Sequence, residues 1–213
     1  MTKKDRFEKV IVWFQDNMPV AETELDYSNP YELMVSVILS AQCTDKRVNI
    51  ITPPFFKEIP DLPGLAASTQ EKVFDLIKSC SYPNNKAKHL IAAAKKIMKD
   101  FSGKIPDDID ALQTIPGIGR KTASVIISVA FNKPAFAVDT HVFRVADRIG
   151  LSSNAKTPIA TEQQLTKYIP KKLWPIAHHW LILHGRYVCQ ARKPKCENCG
   201  LSIYCRHFQN QNK

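Results

Sequence analysis

The chain has 213 residues, 44% of them hydrophobic, which is enough for one large or two small packed domains. Its 30 Lys and Arg against 20 Asp and Glu leave a formal charge of +10 and a pI near 9.3. That balance selects a polyanionic partner, nucleic acid ahead of a membrane surface, although basicity alone does not exclude a merely basic housekeeping protein. No uninterrupted apolar stretch approaches the roughly 20 residues of a membrane span, so the expectation is a soluble, cytoplasmic protein that does not engage a membrane.

In chain order the pattern is helical nearly everywhere, with no convincing alternating strand, and the expected fold class is all-α. MTKKDRFEKVIVWF sets Phe7, Val10, Ile11 and Phe14 at helical spacing among charges, an amphipathic helix rather than a signal peptide. Asn29, Pro30 and Glu32 supply an N-cap, a first-turn proline and a capping-box acid ahead of YELMVSVILSA, which is too apolar for a surface helix. LSAQCTD then puts Gln42 and Asp45 at a junction between helices, where polar side chains can face a ligand or where Thr44 or Asp45 can simply cap the next helix. Pro53 and Pro54 are expected to interrupt that helix, since each removes a donor and crowds the preceding turn. Ser68 and Glu71 read as a second capping box before EKVFDLIKSC. SYPNNKAKHL is a polar turn into a helix ending near Gly103, with Tyr82 in the turn. Cys43 and Cys80 lie outside any cluster spacing and are expected to be reduced, buried thiols.

Residues 114 to 124, TIPGIGRKTAS, organise the remainder. Gly117 and Gly119 flank Ile118 in a tight turn, and the apolar run from Ala123 to Phe131 reads as a buried helix. A helix N-terminus preceded by glycines offers unpaired N–H groups at the positive end of the dipole, which suits a phosphate. Arg120 and Lys121 occupy this first turn, where cations are disfavoured unless an anion faces them. Lys121 has two readings. It is a phosphate-contacting or solvated lysine, or it is a nucleophile, because the dipole, Arg120 and partial burial all favour an uncharged amine. The next acidic residue, Asp139 in AVDTHVFRVADRIG, lies within reach: a helix from Arg120 to Phe131 runs roughly 18 Å, and residues 132 to 138 can span about 23 Å extended. Asp139 or Thr140 also makes a good N-cap for a helix stopping near Gly150.

Thr157 and Pro158 start a further amphipathic helix, and Trp174 and Pro175 introduce HHWLILHGRY, with Trp180, Ile182 and Leu183 as core. His178, His179 and His184 lack the i, i+4 spacing that places two imidazoles on one helix face. Cys189, Cys196, Cys199 and Cys205 bring four thiols within 17 residues, in the pattern C-x6-C-x2-C-x5-C. Without a secretory signal this is a metal site rather than two disulfides. Zinc remains open on spacing alone, although only Cys196 to Cys199 forms a CxxC knuckle. Between the first two cysteines, Arg192, Lys193 and Lys195 form a basic tip that suits phosphate contacts or is a solvated loop.

PGIGRKTA at 116 to 123, VDTHVFRV at 138 to 145 and the terminal cysteines resemble the endonuclease III family of DNA repair glycosylases. LSAQCTD at 39 to 45 and HHWLILHGRYVC at 178 to 189 extend the likeness over nearly the full length. The resemblance implies a helix-hairpin-helix DNA glycosylase fold of two helical lobes with a catalytic groove between them. One lobe would be a six-helix bundle over residues 22–132 closed by the hairpin. The other, residues 1–21 with 133–213, would carry one 4Fe-4S cluster on Cys189, Cys196, Cys199 and Cys205. The implied activity is bifunctional: removal of oxidised pyrimidines, then cleavage of the abasic site by β-elimination, with Lys121 as nucleophile and Asp139 as its carboxylate partner. Gln42 would fill the gap left by the extruded nucleotide, and Tyr82 stands where the family offers a wedge leucine, as a wedge or as a half-buried turn aromatic. Further DNA contacts would come from Gly117, Gly119, Arg120, Thr140, His141 and Arg144. The expected partner is double-stranded DNA with a damaged base or abasic site, bound by a monomer in the bacterial cytoplasm and associated with the nucleoid. Three rivals remain open: a monofunctional glycosylase using aspartate and water, a noncatalytic DNA-binding module, and an electron carrier, although one cluster buttressing a basic loop fits a structural role better.

Overall fold

The computed structural model describes residues 1–211, and every regular element among them is helical. The first helix, α1 (Lys3–Asn17), starts from a reciprocal cap: Thr2 Oγ accepts from the Asp5 N–H and the Asp5 carboxylate from the Thr2 N–H, each at 3.1 Å. Its buried face is Phe7, Val10 and Phe14, with Ile11 packed partly against the same core.

Seven helices follow: α2 (Pro30–Ser40), α3 (Asp45–Glu58), α4 (Leu62–Ala67), α5 (Gln70–Ile77), α6 (Pro83–Asp100), α7 (Ile109–Gln113) and α8 (Arg120–Ala130). After them come α9 (Thr140–Ile149), α10 (Pro158–Thr166), α11 (Trp174–Tyr187) and α12 (Arg206–Gln211). The chain divides into two compact units, Glu24–Asn132, and Met1–Thr23 together with the chain from Lys133 onward. No helix among the described residues is long and apolar enough to cross a membrane.

In the Glu24–Asn132 unit, α2 is the buried centre. Tyr31 and every residue from Leu33 to Leu39 are buried, and α3, α6 and α8 pack around it. Burying each such aliphatic side chain contributes about 1.5–3 kcal/mol of transfer free energy, so this helix is held by its surroundings rather than by propensity. Asn29 caps α2 as its sequence predicts, accepting from the Glu32 N–H at 3.0 Å. Glu32 reaches one residue further back than a capping box requires and accepts from the Ser28 N–H and hydroxyl, both at 2.7 Å.

Two expectations fail in this unit. Pro53 and Pro54 do not interrupt α3, which continues through both to Glu58. Both prolines are exposed, while Val48, Ile51, Thr52 and Phe55 are buried on the opposite side and hold the helix in place. Packing therefore offsets the two missing donors. Nor does Ser68 cap α5. Thr69 does, accepting from the Lys72 N–H at 3.2 Å, while Ser68 closes α4 by donating to Gly64 O at 2.8 Å.

The other unit is built on α9 and α11, which pack together, with α1, α10 and α12 around them. Trp180 stacks on Phe14 with ring centroids 5.5 Å apart, and its indole N–H donates to Met18 O at 2.8 Å. Gly150 ends α9 at φ +93°, the left-handed conformation its position predicts.

Candidate active site and cysteine cavity

The hairpin between α7 and α8 is pinned from below. Ile115 and Ile118 are buried, and the Ile118 N–H donates to Ile115 O at 3.1 Å, which closes the turn. Gly117 adopts φ +81°, and a Cβ there would lie 2.9 Å from His89 Cβ on α6, so only glycine fits. Gly119 has neither constraint: its backbone is extended, and a Cβ would meet nothing within 4 Å. What Gly119 leaves is open space in front of α8, whose N-terminus has no side-chain cap. The first N–H groups of α8 therefore face outward beside Arg120 and Lys121, an anion-binding arrangement. Lys121 is exposed, so the partial burial expected for it does not form part of the site. The amine is presented rather than enclosed.

The turns carrying Gln42 and Tyr82 belong to the same unit and are tied together, because Ser81 Oγ donates to Gln42 O at 2.7 Å. Both residues are exposed and both hold φ +55°, a conformation non-glycine residues rarely adopt and one that tends to persist at functional sites. Tyr82 is 62% exposed and precedes α6, so it is not the half-buried turn aromatic. Beneath the two turns lies Lys86, which sequence reasoning passed over. It is buried, and its Nζ donates to Leu39 O and Ala41 O, both at 2.7 Å. A lysine in a polar turn gives no signal of burial; only the cluster of carbonyls at the end of α2 explains it.

In the other unit Asp139 caps α9, its Oδ1 accepting from the Val142 N–H at 2.8 Å. No second hydrogen bond to this carboxylate is present among the described residues, and the side chain is half-buried. The cap fixes the carboxylate and leaves one oxygen for another partner. Thr140 is exposed and His141 is half-buried beside it. Arg144 is differently employed: it donates from Nε to Cys189 O at 3.1 Å and from Nη2 to Gly185 O at 2.8 Å. Its guanidinium thus braces α9 against the end of α11.

Cys189, Cys196, Cys199 and Cys205 line one small cavity, with Ile149, Val188, Leu201 and Phe208 as its apolar wall. Among the described residues no three His, Cys, Asp or Glu side chains form a group able to hold a metal ion. The four thiols instead surround a space. Burial pushes the Cys196 thiol up, as do the thiols of Cys189 and Cys205, and Cys199 is raised first by burial as well. Two residues that cysteine spacing could not reveal support the cavity. Arg148 donates to Gln190 O at 2.6 Å and to Ala191 O at 3.0 Å, and its own carbonyl accepts from Cys205 Sγ. His184 Nε2 lies 3.6 Å from Cys199 Sγ. Arg192, Lys193 and Lys195 are all exposed on the loop between the first two cysteines, with Lys193 at φ +52°.

Residues 35–171 match the HhH-GPD superfamily of base excision DNA repair proteins. The chain is 44% identical to the endonuclease III of Rickettsia conorii over 202 residues, 95% of this chain and 96% of that one. Against the endonuclease III of Escherichia coli K12 it is 38% identical over 207 residues, 97% of each. A solved structure of a trapped endonuclease III–DNA covalent intermediate superimposes with a TM-score of 0.94 at 38% identity, covering all of both chains. The chain belongs to the endonuclease III family.

Proposed function

We propose that this chain, a bifunctional base-excision DNA glycosylase and abasic-site lyase, works through Lys121 as nucleophile and Asp139 as the carboxylate that balances charge on the sugar. Lys121 Nζ attacks C1′ of the damaged nucleotide, the glycosidic bond breaks, and the base leaves with the bonding electron pair. The amine and C1′ become a Schiff base, whose electron demand acidifies the 2′ proton so that β-elimination expels the 3′ phosphate. Asp139 offsets the positive charge that grows on the sugar and helps take the proton from the attacking amine. The observation that carries this reading is an exposed lysine amine in the first turn of an uncapped helix, in a chain alike over its whole length to an endonuclease III trapped covalently on DNA.

The partner is double-stranded DNA with an oxidised pyrimidine or an abasic site, bound by a monomer in the bacterial cytoplasm and held to the nucleoid by that binding. Gly117, Gly119 and Arg120 receive a phosphate at the N-terminus of α8. Gln42 fills the space left when the nucleotide swings out, and Tyr82 enters the base stack. Thr140, His141, Arg192, Lys193 and Lys195 supply further contacts, while Arg144 holds the backbone beneath them.

Cys189, Cys196, Cys199 and Cys205 hold one 4Fe-4S cluster. A zinc ion on four cysteines is usually held by two short CxxC knuckles, whereas only Cys196 and Cys199 form one here, and the C-x6-C-x2-C-x5-C spacing suits an iron–sulfur cluster. Bound there, the cluster supplies a cross-link that shapes the basic loop and takes no part in the chemistry on the sugar. Metal analysis of purified protein should give about four irons and four sulfides per chain; stoichiometric zinc overturns the assignment.

A duplex with a single abasic site tests the activity. The protein should nick it on the 3′ side without heat or alkali, and a duplex with an oxidised pyrimidine should release the base and be nicked together. Base release without nicking would favour the monofunctional reading, and neither would leave a DNA-binding module.

A further inference from the structure

Cys43 and Cys80 are 37 positions apart in the chain, yet the fold brings their thiols into contact at the base of the Gln42 and Tyr82 turns. Cys80 is buried; its Sγ donates to Leu39 O at 3.3 Å and accepts from the buried Lys86 Nζ at 3.2 Å. Cys43 is partly exposed, so one member of the pair meets solvent and the other lies behind it. The backbones beside them are already joined by the Ser81 to Gln42 hydrogen bond. Neither cysteine belongs to the cavity of the terminal four.

We propose that Cys43 and Cys80 form a reversible thiol oxidation site, in which a small-molecule disulfide converts the pair to a cystine that locks the Gln42 and Tyr82 turns together. Cys43 sulfur attacks one sulfur of the small disulfide, forming a mixed disulfide and expelling one small thiolate. Cys80 sulfur then attacks Cys43 sulfur, the protein S–S bond forms, and a second small thiolate leaves. The two thiol protons go to the two departing thiolates, so two protein thiols are oxidised while one small disulfide is reduced. Burial pushes the Cys80 thiol up. The adjoining Lys86 ammonium opposes this by stabilising the thiolate as it forms, which suits Cys80 to the second, intramolecular step. Lys86 is itself fixed by two carbonyls, so the ammonium stays in place whatever the state of the pair.

The consequence for DNA rests on the function proposed above. Gln42 precedes Cys43 and Tyr82 follows Cys80 by two, so a covalent bond between the cysteines removes the freedom of both turns to adjust to an opened duplex. Reduced and oxidised protein should differ on the order of tenfold in abasic-site nicking, within the range of coupled sites.

The test treats the full, cluster-containing protein with glutathione disulfide, alkylates remaining thiols and maps peptides without reduction. The expected result is a peptide pair joined through Cys43 and Cys80, lighter by two hydrogens and lost on adding dithiothreitol, with nicking falling and returning in step. Cys43→Ser should nick normally and be indifferent to the oxidant. Alkylated Cys43 and Cys80 after oxidation overturn the proposal, and so does a Lys86–O–Cys80 bridge, marked by a gain of one oxygen and a loss of two hydrogens. If the linked peptide forms but the reduced protein never nicks, the thiol site stands and the reading as a lyase falls.

Discussion

At the scale of single residues, Asp139 caps α9, and substitution can separate that cap from the charge-balancing role proposed for it. Asparagine caps helices as well as aspartate, so Asp139→Asn keeps the bond to the Val142 N–H and should leave the melting temperature unchanged, whereas Asp139→Ala should cost about 1 kcal/mol of stability. Both should lower base release by about 10²–10⁴-fold, since both remove the charge. Normal base release by Asp139→Asn would leave the carboxylate as a cap and nothing more. The cap was legible in AVDTHVFRV, because an aspartate ahead of an apolar-periodic run that stops at a glycine is a helix start. Burial was not legible: Lys121 is exposed where partial burial was expected, and Lys86 is buried where nothing announced it. Which lysine is covered depends on where the α2 carbonyls end, and that is decided by packing between helices far apart in sequence.

At the scale of elements, caps and punctuation were read well where one residue type offers itself and poorly where two compete. The hairpin helix α8 and, in the other unit, α9 begin where glycine and Asp139 predict, but Ser68 and Thr69 are adjacent hydroxyls and the second takes the cap. Thr69→Ala should therefore destabilise the protein by about 1 kcal/mol, more than Ser68→Ala, in denaturant titrations. The prolines of α3 teach the converse: a local rule yields when four buried side chains fix the helix from the other side. Support for the cysteine loop shows the same limit, since the cysteines declare themselves by spacing but Arg148 and His184 do not. A Cβ on Gly200 would come within 2.6 Å of the Trp13 indole, so the loop packs tightly on α1. Gly200→Ala should loosen it, and visible absorbance of the proposed cluster should decay faster than in the parent protein.

At the scale of the whole molecule, net charge and buried histidine set the response to solution conditions. With a formal charge of +10, the logarithm of the association constant for undamaged duplex should fall linearly with log salt, by a slope near 0.9 per phosphate contact. Burial, followed by the nearby Arg186, pushes His179 down to about 4 from the usual 6.5. The unfolded chain then binds the extra proton between those values, so stability is fully present above about pH 6.5 and is lost as pH falls toward 4. His179→Gln should flatten the pH dependence across this window by up to about 1.4 kcal/mol per pH unit, measured by denaturant unfolding at pH 5 and 7. The fold class and family were legible because their signatures are local motifs repeated along nearly the whole chain. The contact of Cys43 with Cys80 was not, because no spacing rule links positions joined only by tertiary structure. The central claim is that one amine bonds to the sugar. Borohydride added during reaction with a damaged duplex, followed by mass-spectrometric mapping of the adduct, should place the DNA remnant on Lys121, and Lys121→Ala should yield no adduct. An adduct on another residue, or one that persists at full yield in Lys121→Ala, would contradict the account.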